Sequence, residues 1–316
     1  MVARDRNRAE EAASGISSAR AFTSWRLVTE SKFVDAIVVA TPPETQVQIV
    51  LSALEEGKAV FAEKPMAVTL AEAQDMTNRA FSCGRPNMVD FNFTEVNAWK
   101  RTRQILMERQ IGEVRHVTVH WQVESYVNRL KVSNWKSSSA EGGGTLFNFV
   151  SHCLHYLEWL LGPISGLSSR LSRMPYDQRT ADTTVAMALA FQSGTAGALS
   201  VSTAAYLGSG HRVEFYGEEG ALILENATLD YMKGFRVLLA RKPDACLKPV
   251  AVNDRDAAPY LDGRTLPASR LAHRFLDWVE SGVPSSPDFR DGLRVQKLLD
   301  AALRSHESGR WIEPVI

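Results

Sequence analysis

Cysteine is scarce in this chain of 316 residues. Cys83, Cys153 and Cys246 are too few and too widely spaced for a disulfide framework or a zinc-ligand pattern, and they read as reduced thiols of a cytoplasmic protein. Net charge is absent too: 36 basic residues balance 36 acidic ones, which removes the electrostatic argument for nucleic acid or an anionic membrane as partner. No run is long and apolar enough to span a bilayer. The N-terminal arginines Arg4, Arg6 and Arg8 are followed by no apolar stretch of the kind a secretory signal needs. Internal repeats and low-complexity tracts are missing as well. Glycine is missing where a dinucleotide-binding fold would open, since the first is Gly15 and no Gly-x-Gly-x-x-Gly lies near the start.

What remains is a globular composition with enough apolar residues for a real core. Residues 7–14 read as an exposed helix. Val34 to Ala40 is a nearly continuous apolar, β-branched run, the pattern of a strand buried on both faces of a parallel sheet. Thr41-Pro42-Pro43 stops it and a helix over 44–56 follows, with Gly57 as its cap. A second strand, Ala59 to Ala62, runs into Glu63-Lys64-Pro65. Thr69, with Glu72 three residues on, opens a helix to Phe81, and Asn87 to Phe91 is a third short strand. Strands alternating with helices argue for a doubly wound parallel sheet. In such sheets ligands bind at the carboxyl ends of the strands, which is where Lys64 falls.

Past residue 92 the pattern changes. A helix over 95–109 precedes an alternating strand over 113–123. A polar, loop-like segment over 125–141 carries Tyr126, Arg129, Trp135 and Lys136. Gly142-Gly143-Gly144 leads into an apolar helix over 145–161. From 164 to 239 several strand-like runs alternate with turn signals, the spacing of a mostly antiparallel sheet. A proline-containing connection, 241–267, two helices (268–281 and 291–308) and a last strand at 311–313 close the chain. The expected fold is α/β plus α+β: a partial Rossmann-type domain over 1–91, then an α+β domain over 92–316 with one large sheet.

The 145–161 helix is apolar almost all round, so it should be buried. Its polar residues Asn148, His152 and His155 are spaced by four and three and share one face, which should line a cleft. Spacing alone is met more readily by core histidines with local partners. No third ligand is placed near the pair, so no metal site is expected.

These residues carry a resemblance. Val34-Asp35-Ala36-Ile37-Val38-Val39-Ala40-Thr41-Pro42-Pro43, the Ala53–Lys58 segment and Glu63-Lys64-Pro65 resemble the Gfo/Idh/MocA oxidoreductases. So do the glycine triplet with Thr145-Leu146-Phe147-Asn148, His152, Leu157 to Gly162, Ala181-Asp182-Thr183-Thr184, and the two closing segments Asp291–Val295 and Gly309–Trp311. The resemblance runs end to end and in order. It implies hydride transfer between NAD or NADP and a hydroxyl-bearing carbon of a sugar, nucleotide sugar or cyclitol. Carried over, Lys64 would hydrogen-bond the reacting oxygen, His152 would accept the proton, and Asn148 would stand beside them. Glu63, Thr41, Pro42 and Asn92 would meet the cofactor. Tyr126, Arg129 and Trp135, with Asn148 and His155, would meet the substrate. The resemblance also implies a homodimer or homotetramer formed through the second-domain sheet.

Departures from the family pattern accompany it. The family's glycine-rich loop and first strand are not in the sequence, which the resemblance reads as a start that falls too late; dinucleotide binding would be impaired in a chain complete as given. Asn148 replaces the family's helical Asp, His155 a second one, and Gln46 a frequent histidine. Asn92-Phe93-Thr94 replaces an Asn-aromatic-Arg motif. Arg4 stands where an acid would bind a ribose 2′-hydroxyl, which points toward NADP, with NAD kept open. Two alternatives use the same pocket: a non-catalytic dinucleotide- or sugar-sensing regulator, and a non-redox lyase or hydrolase.

Overall fold

The chain is described from a computed structural model over residues 1–257 and 259–314. Ala258, inside the expected 241–267 connection, and Val315 and Ile316, at the end of the expected second domain, lie outside the described residues.

The first part holds α1 (Arg6–Ser14), α2 (Arg26–Thr29), β1 (Ala36–Val39), α3 (Pro43–Glu55), β2 (Ala59–Ala62), α4 (Leu70–Cys83) and β3 (Asn87–Val89). The three strands form a parallel sheet in the order β1-β2-β3. Local chemistry sets the boundaries. Asp5 caps α1, and Thr69 with Glu72 closes a capping box on α4 as the sequence predicts. Pro43 occupies the first turn of α3, where no N–H is needed. One expectation fails. The strand expected over 34–40 is four residues long and not buried on both faces: Val38 is 65% exposed. Among the described residues β1 pairs only with β2, so it is an edge strand here. A lone parallel bridge, Val2 to Phe22, stands apart from this sheet.

The second part holds α5 (Asn97–Met107), β4 (Val114–Gln122), the short α6 (Tyr126–Arg129) and α7 (Ser151–Leu161), then β5 (Ile164–Ser172), β6 (Thr184–Phe191) and β7 (Ala196–Ser202). It continues with β8 (Gly210–Gly217), β9 (Gly220–Asn226), β10 (Arg236–Arg241), β11 (Lys248–Val250), α8 (Thr265–Ser281) and α9 (Phe289–Ser308). The strands form one sheet in the order β11-β10-β9-β8-β4-β7-β6-β5, antiparallel except for the β4–β7 pair. Alternation along β6 turns Val185, Met187, Leu189 and Phe191 inward, toward a core shared with α7 and α9. Ala186 and Ala188 face outward.

The two parts interlock. α8 returns to cover one face of the parallel sheet, where Phe275 meets Phe61 with ring centroids 5.7 Å apart. α3 and α4 cover the other face. Pro267, expected at the end of the long connection, lies in the first turn of α8 instead, where its missing N–H costs nothing. The expected loop over 125–141 contains α6 and two short 3-10 turns.

Candidate active site at the carboxyl edge of the parallel sheet

All three parallel strands end at one edge, so their exit residues converge. Thr41 and Pro42 follow β1, Glu63 and Lys64 follow β2, and Asp90 and Asn92 follow β3. The ladder reaches the exits, with Glu63 N–H donating to Val39 O and Asp90 N–H to Ala62 O, both at 2.9 Å. Behind the Lys64 turn, the fully buried Gln46 donates its amide to the carbonyls of Glu63 (2.7 Å), Pro65 and Met66 (both 3.1 Å). The residue that replaces a family histidine is therefore a brace for the lysine's backbone.

The opposite wall begins at the glycine triplet. A side chain on Gly143 would stand 2.4 Å from the Trp135 carbonyl oxygen. Gly144 has φ +99°, and a Cβ there would fall 2.2 Å from Asp182 Oδ1. The close approach is used: Asp182 accepts from Leu146 N–H at 2.9 Å through its carboxylate and from Thr145 N–H at 3.0 Å through its carbonyl. The helix then opens with a π turn over Leu146–Val150 before settling into α7. Asn148 sits in that turn, and its backbone carbonyl accepts a 2.8 Å hydrogen bond from Lys64 Nζ. Its side-chain amide donates back to Gly144 O at 2.9 Å.

Two cavities meet at Lys64. One, of about 340 Å³, is lined by Thr41, Pro42, Glu63, Asp90, Asn92 and Trp135 together with Lys64, Asn148 and His152. The other, of about 230 Å³, shares Lys64, Asn148 and His152 and extends to Tyr126, Arg173 and Asp182. Thr41 Oγ1, Asp90 Oδ1, Asn92 Oδ1 and His152 Nδ1 are buried at these walls without a hydrogen-bond partner among the described residues. Buried polar atoms are normally paired, so the cluster can meet the polar groups of a ligand or of ordered water.

The electrostatics follow from burial. Desolvation, helped by Lys136 and Arg264, lowers the Lys64 ammonium to about 8, although Glu63 and Asp90 pull the other way. Asp90 is raised to about 7, mainly by burial and then by Glu63, against the pull of Lys64. His152 is held well below its ordinary value by burial, then by Lys64, His155 and His211, so its imidazole is neutral.

Of the residues expected from sequence, the structure brings Thr41, Pro42, Glu63, Lys64, Asn92, Tyr126, Trp135, Asn148 and His152 to the two cavities. Three are not brought there. His155 stacks on Phe91, 4.2 Å between centroids, and faces a different cavity with Arg103 and Glu158. His152 and His155 both lie in regular α7, where a three-residue step leaves them about 60° apart around the axis, and that offset turns His155 toward Phe91. Arg129 ends α6 pointing to solvent, while Tyr126 one turn earlier lines the wall. Arg4 is exposed in the turn before α1, outside both cavities. Sequence reasoning missed Asp90, Lys136, Arg173 and Arg264. Asp90 had a signal, since it follows a strand at the same edge as Lys64. Arg264 had none: it is delivered by Gly263, whose N–H donates to Asp230 at 2.8 Å.

Comparison with known proteins agrees with this fold. Residues 1–91 match the family model described as "Oxidoreductase family, NAD-binding Rossmann fold", and residues 103–313 match its companion, "Oxidoreductase family, C-terminal alpha/beta domain". An uncharacterized oxidoreductase of Synechocystis is 28% identical over 98% of this chain and 87% of its own length. Inositol 2-dehydrogenase of Rhizobium meliloti is 24% identical over 88% and 80%. Among solved structures, levoglucosan dehydrogenase in complex with NADH and levoglucosan superposes with a TM-score of 0.88 at 21% identity, covering 100% of this chain and 90% of that one.

Proposed function

The chain belongs to the Gfo/Idh/MocA family of oxidoreductases, and on that premise we propose that it oxidises or reduces a hydroxyl-bearing carbon of a sugar-like or cyclitol substrate with NAD(H). The observation that supports this best is one cavity that gathers Lys64 with four unpartnered buried polar atoms, three at the strand edge and one on α7. Thr41, Asp90 and Asn92 fit the nicotinamide end of such a cofactor. The neutral acid form of Asp90 offers a donor, and Thr41 and Asn92 offer both donors and acceptors. When bound, the nicotinamide supplies the hydride acceptor or donor.

The protein's own part is to hold the reacting hydroxyl and move its proton. Lys64 is tied to the Asn148 carbonyl by one N–H. In its neutral form the amine keeps that bond and still has a lone pair for the hydroxyl proton. A group near 8 is better matched to this exchange at working pH than an imidazole pushed far below it. We therefore assign the proton to Lys64 and give His152 the task of orienting the hydroxyl as a neutral hydrogen-bonding partner. This exchanges the roles that the resemblance implies for the two residues. Asn148, lacking an acid, contributes its carbonyl.

The proposal extends to two further points. Arg4, which the resemblance sets beside the ribose, would suit a 2′-phosphate, so NADPH is admitted beside NADH. The outward face of the large sheet, with Ala186, Ala188 and Ala198 exposed, joins copies of the chain into a dimer or tetramer.

Titration with NADH and with NADPH, followed by nicotinamide fluorescence, tests the cofactor, and tighter NADH overturns the Arg4 assignment. Polyol oxidation by wild type and by Lys64→Met tests the chemistry. The expected result is a loss of about 10²–10⁴-fold in kcat with NADH binding retained. An active Lys64→Met overturns the mechanism. Dinucleotide binding without turnover of any polyol makes the chain a sensor instead.

A further inference from the structure

The cavity of about 230 Å³ carries more positive charge than its own carboxylates answer. Lys64, Lys136, Arg173, Arg179 and Arg264 all line it, against Asp177 and Asp182. Three of the cations are occupied. Lys64 serves the Asn148 carbonyl. Arg179 chelates both oxygens of Asp177 and donates to Val127 O at 2.7 Å. Arg264 chelates Asp262 in the same way. On the acidic side, Asp182 is spent on the helix start, and burial raises its carboxyl to about 6.

Lys136 and Arg173 are left. Neither has a carboxylate within ion-pair distance among the described residues, and Lys136 makes only a cation–π contact to Trp135, 5.5 Å from the ring centroid. Lys136 borders Lys64 closely enough to lower its proton affinity, and it lines both cavities. Both side chains are exposed at the mouth of this open cavity, where two cations without a carboxylate partner give a positive potential that favours an anion. Arginine also offers a planar donor fork that suits carboxylate or phosphate oxygens.

We propose that the substrate is an anionic polyol, a hydroxylated chain or ring bearing a carboxylate or phosphate seated between Lys136 and Arg173. This rests on the oxidoreductase reading for the reaction, but the anion seat is a binding claim that can be tested without turnover. The seat fixes one end of the molecule while its hydroxyl-bearing carbon reaches Lys64. Selectivity among polyols then comes from charge at one end and geometry at the other.

The experiment compares compounds that differ only in the anionic group: glucose, glucuronate and glucose 6-phosphate, with galactose, galacturonate and galactose 6-phosphate as a second set. Calorimetry on the protein with NADH measures binding, and NAD+ reduction measures kcat/KM. One anionic member of a set should exceed its neutral parent about tenfold or more in affinity, with the effect in KM rather than kcat. Which member wins tells carboxylate from phosphate. Arg173→Gln and Lys136→Gln should each bring the anionic-to-neutral ratio down toward one, and Arg173→Lys should restore part of it. A neutral parent bound as tightly as both anions overturns the proposal, and so does a preference that survives both substitutions. Charge-dependent binding with no oxidation of any compound overturns the oxidoreductase reading and leaves the anion seat standing.

Discussion

The ammonium of Lys64 and the backbone carbonyl of Asn148 meet at 2.8 Å, although 84 residues separate them. One stands at the end of a parallel strand, the other in a π turn that a glycine triplet and Asp182 hold in place. This contact ties the two halves of the chain together where the two cavities meet. It also fixes the amine by one of its hydrogens, so its remaining valence has a defined direction.

The pH profile follows from the lowered Lys64 value. Burial favours the neutral amine, which the proposed mechanism uses as the proton acceptor in oxidation. Polyol oxidation should therefore rise with pH through about 8 and level off above it. Carbonyl reduction by NADH needs the protonated form and should fall through the same range. Rate measurements from pH 6 to 10 in both directions check this. Oxidation rates that are flat across that range would show that another group carries the proton.

Asp90 bears on stability as well as binding. Its folded value, about 7, lies above the ordinary 3.8. Between those values the folded protein holds a proton that the unfolded chain has released, so the contribution of this group falls as pH rises through that window. Its penalty is complete above about 7. Asp90→Asn removes the penalty. Denaturant titrations should find the variant more stable than wild type at pH 8, by roughly 1–3 kcal/mol, and equal to it near pH 4. Because Asp90 also raises the proton affinity of Lys64, the variant's oxidation profile should shift to lower pH.

Gly144 is required by conformation and by space. Alanine there would take a φ of +99° with its Cβ 2.2 Å from an Asp182 oxygen. Gly144→Ala should cost about 1–3 kcal/mol and loosen the π turn that carries Asn148. Turnover should fall further than the melting temperature suggests. Gly15→Ala is the comparison, since a Cβ there meets nothing within 4 Å.

The oligomer prediction concerns the alanine patch on β6 and β7. Ala188→Arg places a long charged side chain at its centre. Analytical ultracentrifugation should then find a lower mass than for wild type. An unchanged mass moves the interface elsewhere.

Much of the local structure could be read from residue order. The capping box at Thr69, the proline at the start of α3 and the alternation along β4 act over a few residues, and each element formed where its own chemistry placed it. The strand-edge position of Lys64 was legible for the same reason. His155 lies outside the two cavities because a three-residue step in regular α7 sets it about 60° from His152 around the axis, an offset that a shared-face reading of the spacing ignores. Composition of the strand at 34–40 reports apolarity, whereas exposure depends on what packs over each face: α8 covers Phe61 but leaves its register partner Val38 open.

By itself, the sequence determined the alternating strands and helices, the lysine at a strand end and the polar residues on a buried helix. It could do so because propensity, capping and periodicity act between near neighbours. The tertiary structure alone decided that Asp90 loses its solvent beside Lys64, that Gln46 braces the lysine turn, and that Lys136 and Arg173 line one cavity without an ion-pair partner among the described residues. Those properties come from desolvation and from charges placed together by elements far apart in the chain, and neither is encoded within any single stretch.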